Sequence, residues 1–170
     1  MKIGFLIWAG SSFGGVQRRY SRLANEIAKS RSDLQVVIIS HRQALATALN
    51  LLDETVAVEF HSFGAGGHKE SLVNIVKNLL SLRKKLKGLK LDHLHLCESP
   101  SFLSVLTAIA TPASFKLTLS FVDSIYNKRV NKFERFISAI SLFRFSKIDC
   151  LSAGVAKECA RFFPLQSFKQ

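Results

Sequence analysis

The sequence predicts an α/β fold: a doubly wound, Rossmann-like single domain with a mostly parallel sheet. Three observations lead there. Short apolar runs alternate with amphipathic helical patterns along the whole chain, most runs are apolar on both faces, and the first run breaks into a glycine-rich turn that opens a helix. Strands apolar on both faces need helices above and below them, and parallel neighbours need helical crossovers of right-handed sense. A length of 170 residues fits one domain with a buried core.

The elements follow in order. Residues 3–9, "IGFLIWA", are rich in strand formers and end in Gly10, Ser11, Ser12, Phe13, Gly14 and Gly15 as a turn. From Val16, the residues Tyr20, Leu23, Ala24, Ile27 and Ala28 recur at helical spacing, with Arg18, Arg19, Arg22, Glu26 and Lys29 opposite. "LQVVIIS" (34–40) and "TVAVEFHSF" (55–63) read as strands, with a short helix around Ala44 to Leu51 between them. After "GAGGHKE", a helix carries Leu72, Ile75, Val76, Leu79 and Leu86 on one face, and Gly88 ends it. "LDHLHLCES" (91–99) is a strand, Pro100 opens a helix that runs to Ala110, and "FKLTLSFVD" (115–123) is a further strand. Residues 130–145 read as helix, "KIDCLSA" (147–153) as strand, and Gly154 to Phe163 as helix.

Composition narrows the class. The net charge of +12 asks for a polyanionic neighbour: nucleic acid, an anionic membrane surface or a phosphorylated substrate. No apolar stretch approaches the ~20 residues of a spanning helix, and the amino terminus lacks a secretory signal. Cys97, Cys150 and Cys159 share no metal-binding or disulfide spacing and read as reduced, buried cysteines of a cytoplasmic protein.

In a doubly wound sheet, ligands collect at the carboxyl ends of the strands, so the turn "GSSFGGVQRR" is the first place to look. The spacing of Gly10 and Gly15 imitates a P-loop, but Val16 and Gln17 stand where Lys and Ser/Thr must reach phosphate and magnesium. Gly10-x-Ser12-x-Gly14 matches a nucleophile elbow, yet only eleven residues precede Ser12, too few for the upstream oxyanion loop. A dinucleotide fingerprint is missing, and His41 and Arg42, not an acid, end the second strand. Two readings remain open. Adjacent glycines at a helix amino terminus let backbone N–H groups meet a phosphate or diphosphate, or they serve only the positive φ of a tight turn.

"FGGVQRRYSRLANEIAKS" after a first strand resembles the amino-terminal, acceptor-binding domain of family 4 glycosyltransferases, nearest the lipopolysaccharide-core glucosyltransferase type with its FGG-x-QR opening. "LDHLHLCESPSF", "KLTLSFVDS" and "KIDCLSAGVAKEC" resemble later segments of that half in the same order. The resemblance implies a glycosyltransferase-like amino-terminal domain over 1–170, with the carboxyl-terminal donor-binding domain absent. It would be the acceptor-binding half of a nucleotide-sugar-dependent enzyme of surface polysaccharide or lipopolysaccharide synthesis, inactive without a donor-binding half. By that resemblance Gly14 and Gly15 would approach the donor diphosphate, and Arg18, Glu98, Ser99, Ser120 and Asp123 would serve the acceptor. The nucleotide-sugar is a co-substrate and no cofactor is implied; a glycan or lipid-linked acceptor and a separate donor-binding chain are the partners. This sequence departs in having Ser120 and Phe121 where the family usually places a histidine, and in lacking any glutamate pair eight positions apart.

The basic residues gather in two amphipathic segments. Lys84, Lys85 and Lys87 sit in one; Lys132, Phe136 and Arg144 sit in the other, whose apolar stripe Leu142, Phe143 and Phe145 extend. Such segments suit the inner face of an anionic plasma membrane, where each basic residue contributes ~1 kcal/mol. Equally, the stripes can pack on the sheet and leave the charges solvated. A non-catalytic membrane- or partner-binding module left by truncation is the competing reading. Nucleic-acid recognition motifs are missing. His93 and His95 share one strand face without a third ligand at metal spacing, and read as core or cleft histidines.

Overall fold

In a computed structural model of the chain, the residues described are 1–8, 15–41, 58–64, 71–97, 102–121, 136, 139–140, 143–150, 152–162 and 168–169. Apolar runs become seven strands: β1 (Lys2–Ile7), β2 (Gln35–His41), β3 (Val58–Phe63), β4 (His93–Leu96), β5 (Lys116–Phe121), β6 (Lys147–Cys150) and β7 (Phe168–Lys169). Among the described residues, four bounded helices accompany them: α1 (Gly15–Ser30), α2 (Leu72–Leu89), α3 (Phe102–Ala110) and α4 (Ala153–Phe162). The sheet order is β3-β2-β1-β4-β5-β6-β7 and every pairing is parallel, which is the Rossmann-like α/β fold the sequence predicts. The chain winds from β1 out to β3, then crosses back to β4. The switch point therefore lies between β1 and β4, where open sheets of this type form their ligand crevice.

Alternation along each strand divides the core between the two faces. Phe5, Ile7, Val36, Ile38 and Cys97 pack under Tyr20 and Ala24 of α1. Leu6, Trp8, Val37, Ile39, Leu94, Leu96, Leu117 and Leu119 pack on the other face with Leu82 and Leu86 of α2 and Ala108 of α3. Each such leucine contributes about 1.5–3 kcal/mol on burial.

Helix α2 differs from its sequence expectation at both its face and its end. Its buried side chains are Asn78, Leu82, Leu86 and Leu89, whereas Val76 is exposed along with Val73 and Leu80. This helix is apolar around most of its circumference, so periodicity picks no unique face; the hydrogen bond between Asn78 Nδ2 and His41 Nε2, 3.2 Å, is part of what sets it. Ser71 caps the start by accepting from the Asn74 N–H, and the end comes at Lys90 in the left-handed conformation (φ 49°), not at Gly88, which remains helical.

The expected helix over 130–145 is also corrected at its end. Phe136, Ala139 and Ile140 are helical, but Phe143 and Arg144 turn. Phe145 is buried in the leucine-rich core and does not extend an exposed stripe. Strand β7, absent from the sequence reading, pairs with β6 through Ile148 and Asp149. The helix expected around Ala44 to Leu51 lies outside the described residues.

Candidate functional site

The carboxyl edge of the sheet is built from side chains that leave little freedom. The rings of Trp8, His41 and Phe63, at the ends of β1, β2 and β3, pack with centroids 4.9 Å (Trp8–Phe63), 5.5 Å (His41–Phe63) and 6.1 Å (Trp8–His41) apart. Gly64 follows at φ +84°; a Cβ there would come within 2.7 Å of the His41 ring and 2.9 Å of Asn78 Oδ1. Both backbone and space demand glycine at that position.

Gly15 is a different case. Its φ is outside the left-handed region, and a Cβ would meet nothing within 4 Å among the described residues. Neither its φ nor any described neighbour requires glycine there, so the positive-φ reading of the turn fails for this residue. The first turn of α1 carries no acidic side chain, and Arg18 and Arg19 follow it at once. Basic residues at a helix amino terminus are unfavourable by a few tenths to ~1 kcal/mol, a cost that a bound anion reverses.

A groove of about 520 Å³ runs along this end of α1, lined by Gly15, Arg18, Arg19, Arg22, Leu23 and Glu26. Arg19 reaches Asp149 of β6 at 3.5 Å and lies 5.5 Å from the Tyr20 ring centroid. Arg18 and Arg22 line the groove with guanidinium groups, whose planar donors suit a phosphate, while Arg19 is engaged with Asp149.

Under α1 runs a chain of hydrogen-bonded side chains. Tyr20 Oη pairs with Ser120 Oγ, which pairs with His95 Nε2 at 2.8 Å; His95 Nδ1 meets Thr118 Oγ1 at 2.6 Å, and Thr118 Oγ1 meets His93 Nε2 at 2.9 Å. Burial, helped by His93 and Arg19, pushes the His95 pKa down to about 4, so this ring is neutral. Burial, with Cys97 next, pushes Tyr20 up to about 12. The chain anchors α1 to β5 close to the Gly15 end.

The residues singled out from sequence fare unequally. Gly15 and Arg18 come together at the α1 groove. Ser120 is buried with its hydroxyl shared between Tyr20 and His95. Arg144 is half-buried and donates to the carbonyl oxygens of Pro112 (2.9 Å) and Phe115 (3.3 Å). Lys84, Lys87 and Phe136 are exposed and Lys85 is half-buried. Gly14, Glu98, Ser99, Asp123 and Lys132 lie outside the described residues. Arg22, Tyr20 and His95 were not singled out as site residues. The spacing of Arg18 and Arg22, one helical turn apart, was the signal for the first; the strand alternation of His93 and His95 with Thr118 and Ser120 was the signal for the network.

No described helix is long and apolar enough to cross a membrane. Among the described residues no group of three or more His, Cys, Asp or Glu is placed to hold a metal.

No protein-family model matches the sequence, and no curated protein matches it by sequence. Solved structures do match its fold. It is similar to a lipopolysaccharide outer core galactosyltransferase, WaaB, in its apo form (14% identity, TM-score 0.60, covering 95% of this chain and 42% of that one). It is similar to a UDP-GlcNAc 2-epimerase from Neisseria meningitidis bound to UDP-GlcNAc (12%, TM-score 0.63, 95% and 43%) and to a UGT transferase from Siraitia grosvenorii in complex with UDP (11%, TM-score 0.60, 98% and 52%). The chain thus spans about half or less of the length of these proteins. It has the Rossmann-like fold of nucleotide-sugar glycosyltransferases and epimerases.

Proposed function

We propose that this chain is the acceptor-binding, amino-terminal-type half of a nucleotide-sugar-dependent glycosyltransferase of surface polysaccharide or lipopolysaccharide synthesis, similar to family 4 enzymes and needing a donor-binding half for activity. The observation that carries the reading is the coverage: 95% of this chain corresponds to 42% of a lipopolysaccharide galactosyltransferase, with the glycine-rich stretch of the sequence standing between β1 and α1 as in the FGG-x-QR resemblance. Epimerases share the fold, and the glycine opening is what favours transfer. In this reading the N–H groups near Gly14 and Gly15 contact the donor diphosphate, and Arg18 takes a charged group of the acceptor. Ser120 acts from below by holding Tyr20, hence α1, in place. Catalysis by such a half consists of positioning substrates and stabilising the leaving diphosphate.

The test joins this chain to the donor-binding half of a lipopolysaccharide-core glucosyltransferase and measures turnover of the nucleotide-sugar. Gly15→Val adds side-chain bulk where nothing among the described residues stands within 4 Å; with folding verified by circular dichroism, turnover is expected to fall at least tenfold. Unchanged turnover rejects the loop assignment.

A second reading, a basic membrane-binding module without chemistry, is favoured by α2, whose exposed Val73, Val76 and Leu80 accompany Lys77, Arg83, Lys84, Lys85 and Lys87 and no carboxylate. It predicts sedimentation with anionic vesicles and not with neutral ones; equal binding to both sinks it.

A further inference from the structure

We propose that a groove at the amino-terminal edge of the sheet, opposite the α1 site, binds a phosphate-bearing anion between Lys87, Lys90 and Lys116, with His93 and Ser114 beside it. The groove encloses about 780 Å³, within the range of small-ligand sites. Its lysines come from three places in the fold: the last turn of α2, the cap that follows it, and the first residue of β5. A preference for cations at a helix carboxyl end accounts for Lys87 and Lys90 but not for Lys116.

None of the three lysines has a carboxylate within ion-pair distance among the described residues. Asp92, the carboxylate of the groove lining, accepts the Lys2 backbone N–H through Oδ2 at 2.7 Å. His93 lies close to these charges: burial first, then Lys147 outside the groove and Lys116 within it, push its pKa down. Lys90 adds a second indication, because it stands in a left-handed conformation (φ 49°, ψ 51°) that glycine would adopt without strain. Three lysines lining one groove, two from the end of α2 and one from the start of β5, suit an anion of about two negative charges, as a phosphomonoester or diphosphate carries. The Ser114 hydroxyl is a further donor for a phosphate oxygen.

His93 supplies a local readout. Its ring resonances are followed by NMR while inorganic pyrophosphate is titrated in one arm and vesicles of phosphatidic acid in phosphatidylcholine are added in the other. A bound phosphate raises the His93 pKa. A response to pyrophosphate identifies a soluble phosphate ligand, and a response to vesicles alone identifies a lipid headgroup; both support the site. In the responding arm the triple variant Lys87→Gln, Lys90→Gly, Lys116→Gln is expected to bind at least tenfold more weakly. Lys90→Gly alone eases the backbone while removing one charge, so it tests the site even if the triple variant fails to fold, and it costs about fivefold. Silence of His93 in both arms, or unaltered affinity in these variants, overturns the proposal. Arg22→Gln changes a residue of the opposite edge and leaves the His93 response intact; any loss of pyrophosphate affinity it causes reports on the α1 groove, so the two readings fail separately.

Discussion

The two faces of the β4–β5 pair are built on different chemistry. Toward α2 and α3 stand Leu94, Leu96, Leu117 and Leu119, all fully buried and held by shape and desolvation alone. Toward α1 stand His93, His95, Thr118 and Ser120, the histidines half-buried and the hydroxyls buried, all polar and joined to Tyr20 through hydrogen bonds. The apolar face tolerates small shifts of its helices, because dispersion contacts are many and non-directional. The polar face does not, because a buried donor or acceptor that loses its partner costs about 1–3 kcal/mol. Directional bonding is placed under the helix whose amino terminus opens the candidate site, where position matters most.

Removing mass from the apolar face has the largest expected effect. Leu117→Ala leaves a cavity in the centre of the sheet and is expected to cost about 3 kcal/mol in urea unfolding; a loss under about 1 kcal/mol contradicts the tight packing assigned to that face.

Acid tests the polar face. The folded-state pKa of His95 is about 4, below the 6.5 of an unfolded histidine, so the unfolded chain binds the proton first. Stability from this group is complete above pH 6.5 and is lost as pH falls toward 4; His93, also lowered, acts in the same direction. Between pH 7 and pH 5, before most carboxylates titrate, a loss of about 2 kcal/mol is expected. A flat stability profile across that window means that His95 is not held neutral.

The smallest change breaks one link. Ser120→Ala leaves Tyr20 Oη and His95 Nε2 without their shared partner and is expected to cost about 1–2 kcal/mol. In the joined transferase of the proposed function, it is also expected to raise the nucleotide-sugar KM more than Leu117→Ala does, because it loosens α1. Equal KM values in the two variants remove the distinction between the faces.

Much of this fold was legible in the chain. "KIGFLIWA", "LQVVIIS" and "FKLTLSF" are too apolar for an exposed position and too short for helices of a bundle, and all three are strands. Tyr20, Ala24 and Ile27 recur at helical spacing, and the face they mark is the one α1 turns inward. Helix α2 was legible as a helix but not in its orientation, since Val73, Val76 and Leu80 are as apolar as Leu79 and Leu82. Of the candidate site, the glycine opening and Arg18 could be picked out because turn chemistry and helix polarity are local. Lys116 and Lys90 could not be joined into one groove, because the fold brings them together from different elements.

The sequence by itself determined strands β1 to β6, helices α1 to α4, a mostly parallel sheet and a strongly basic chain, because period, turn residues and charge are properties of neighbouring positions. Only the tertiary structure decided that Tyr20 meets Ser120 across 100 positions and that His95 lies neutral between Thr118 and Ser120. It also decided that three lysines share one groove while Arg144 caps two carbonyl oxygens. Hydrogen bonds and fields act through space, and the distance they act across is set by the packing of the whole sheet.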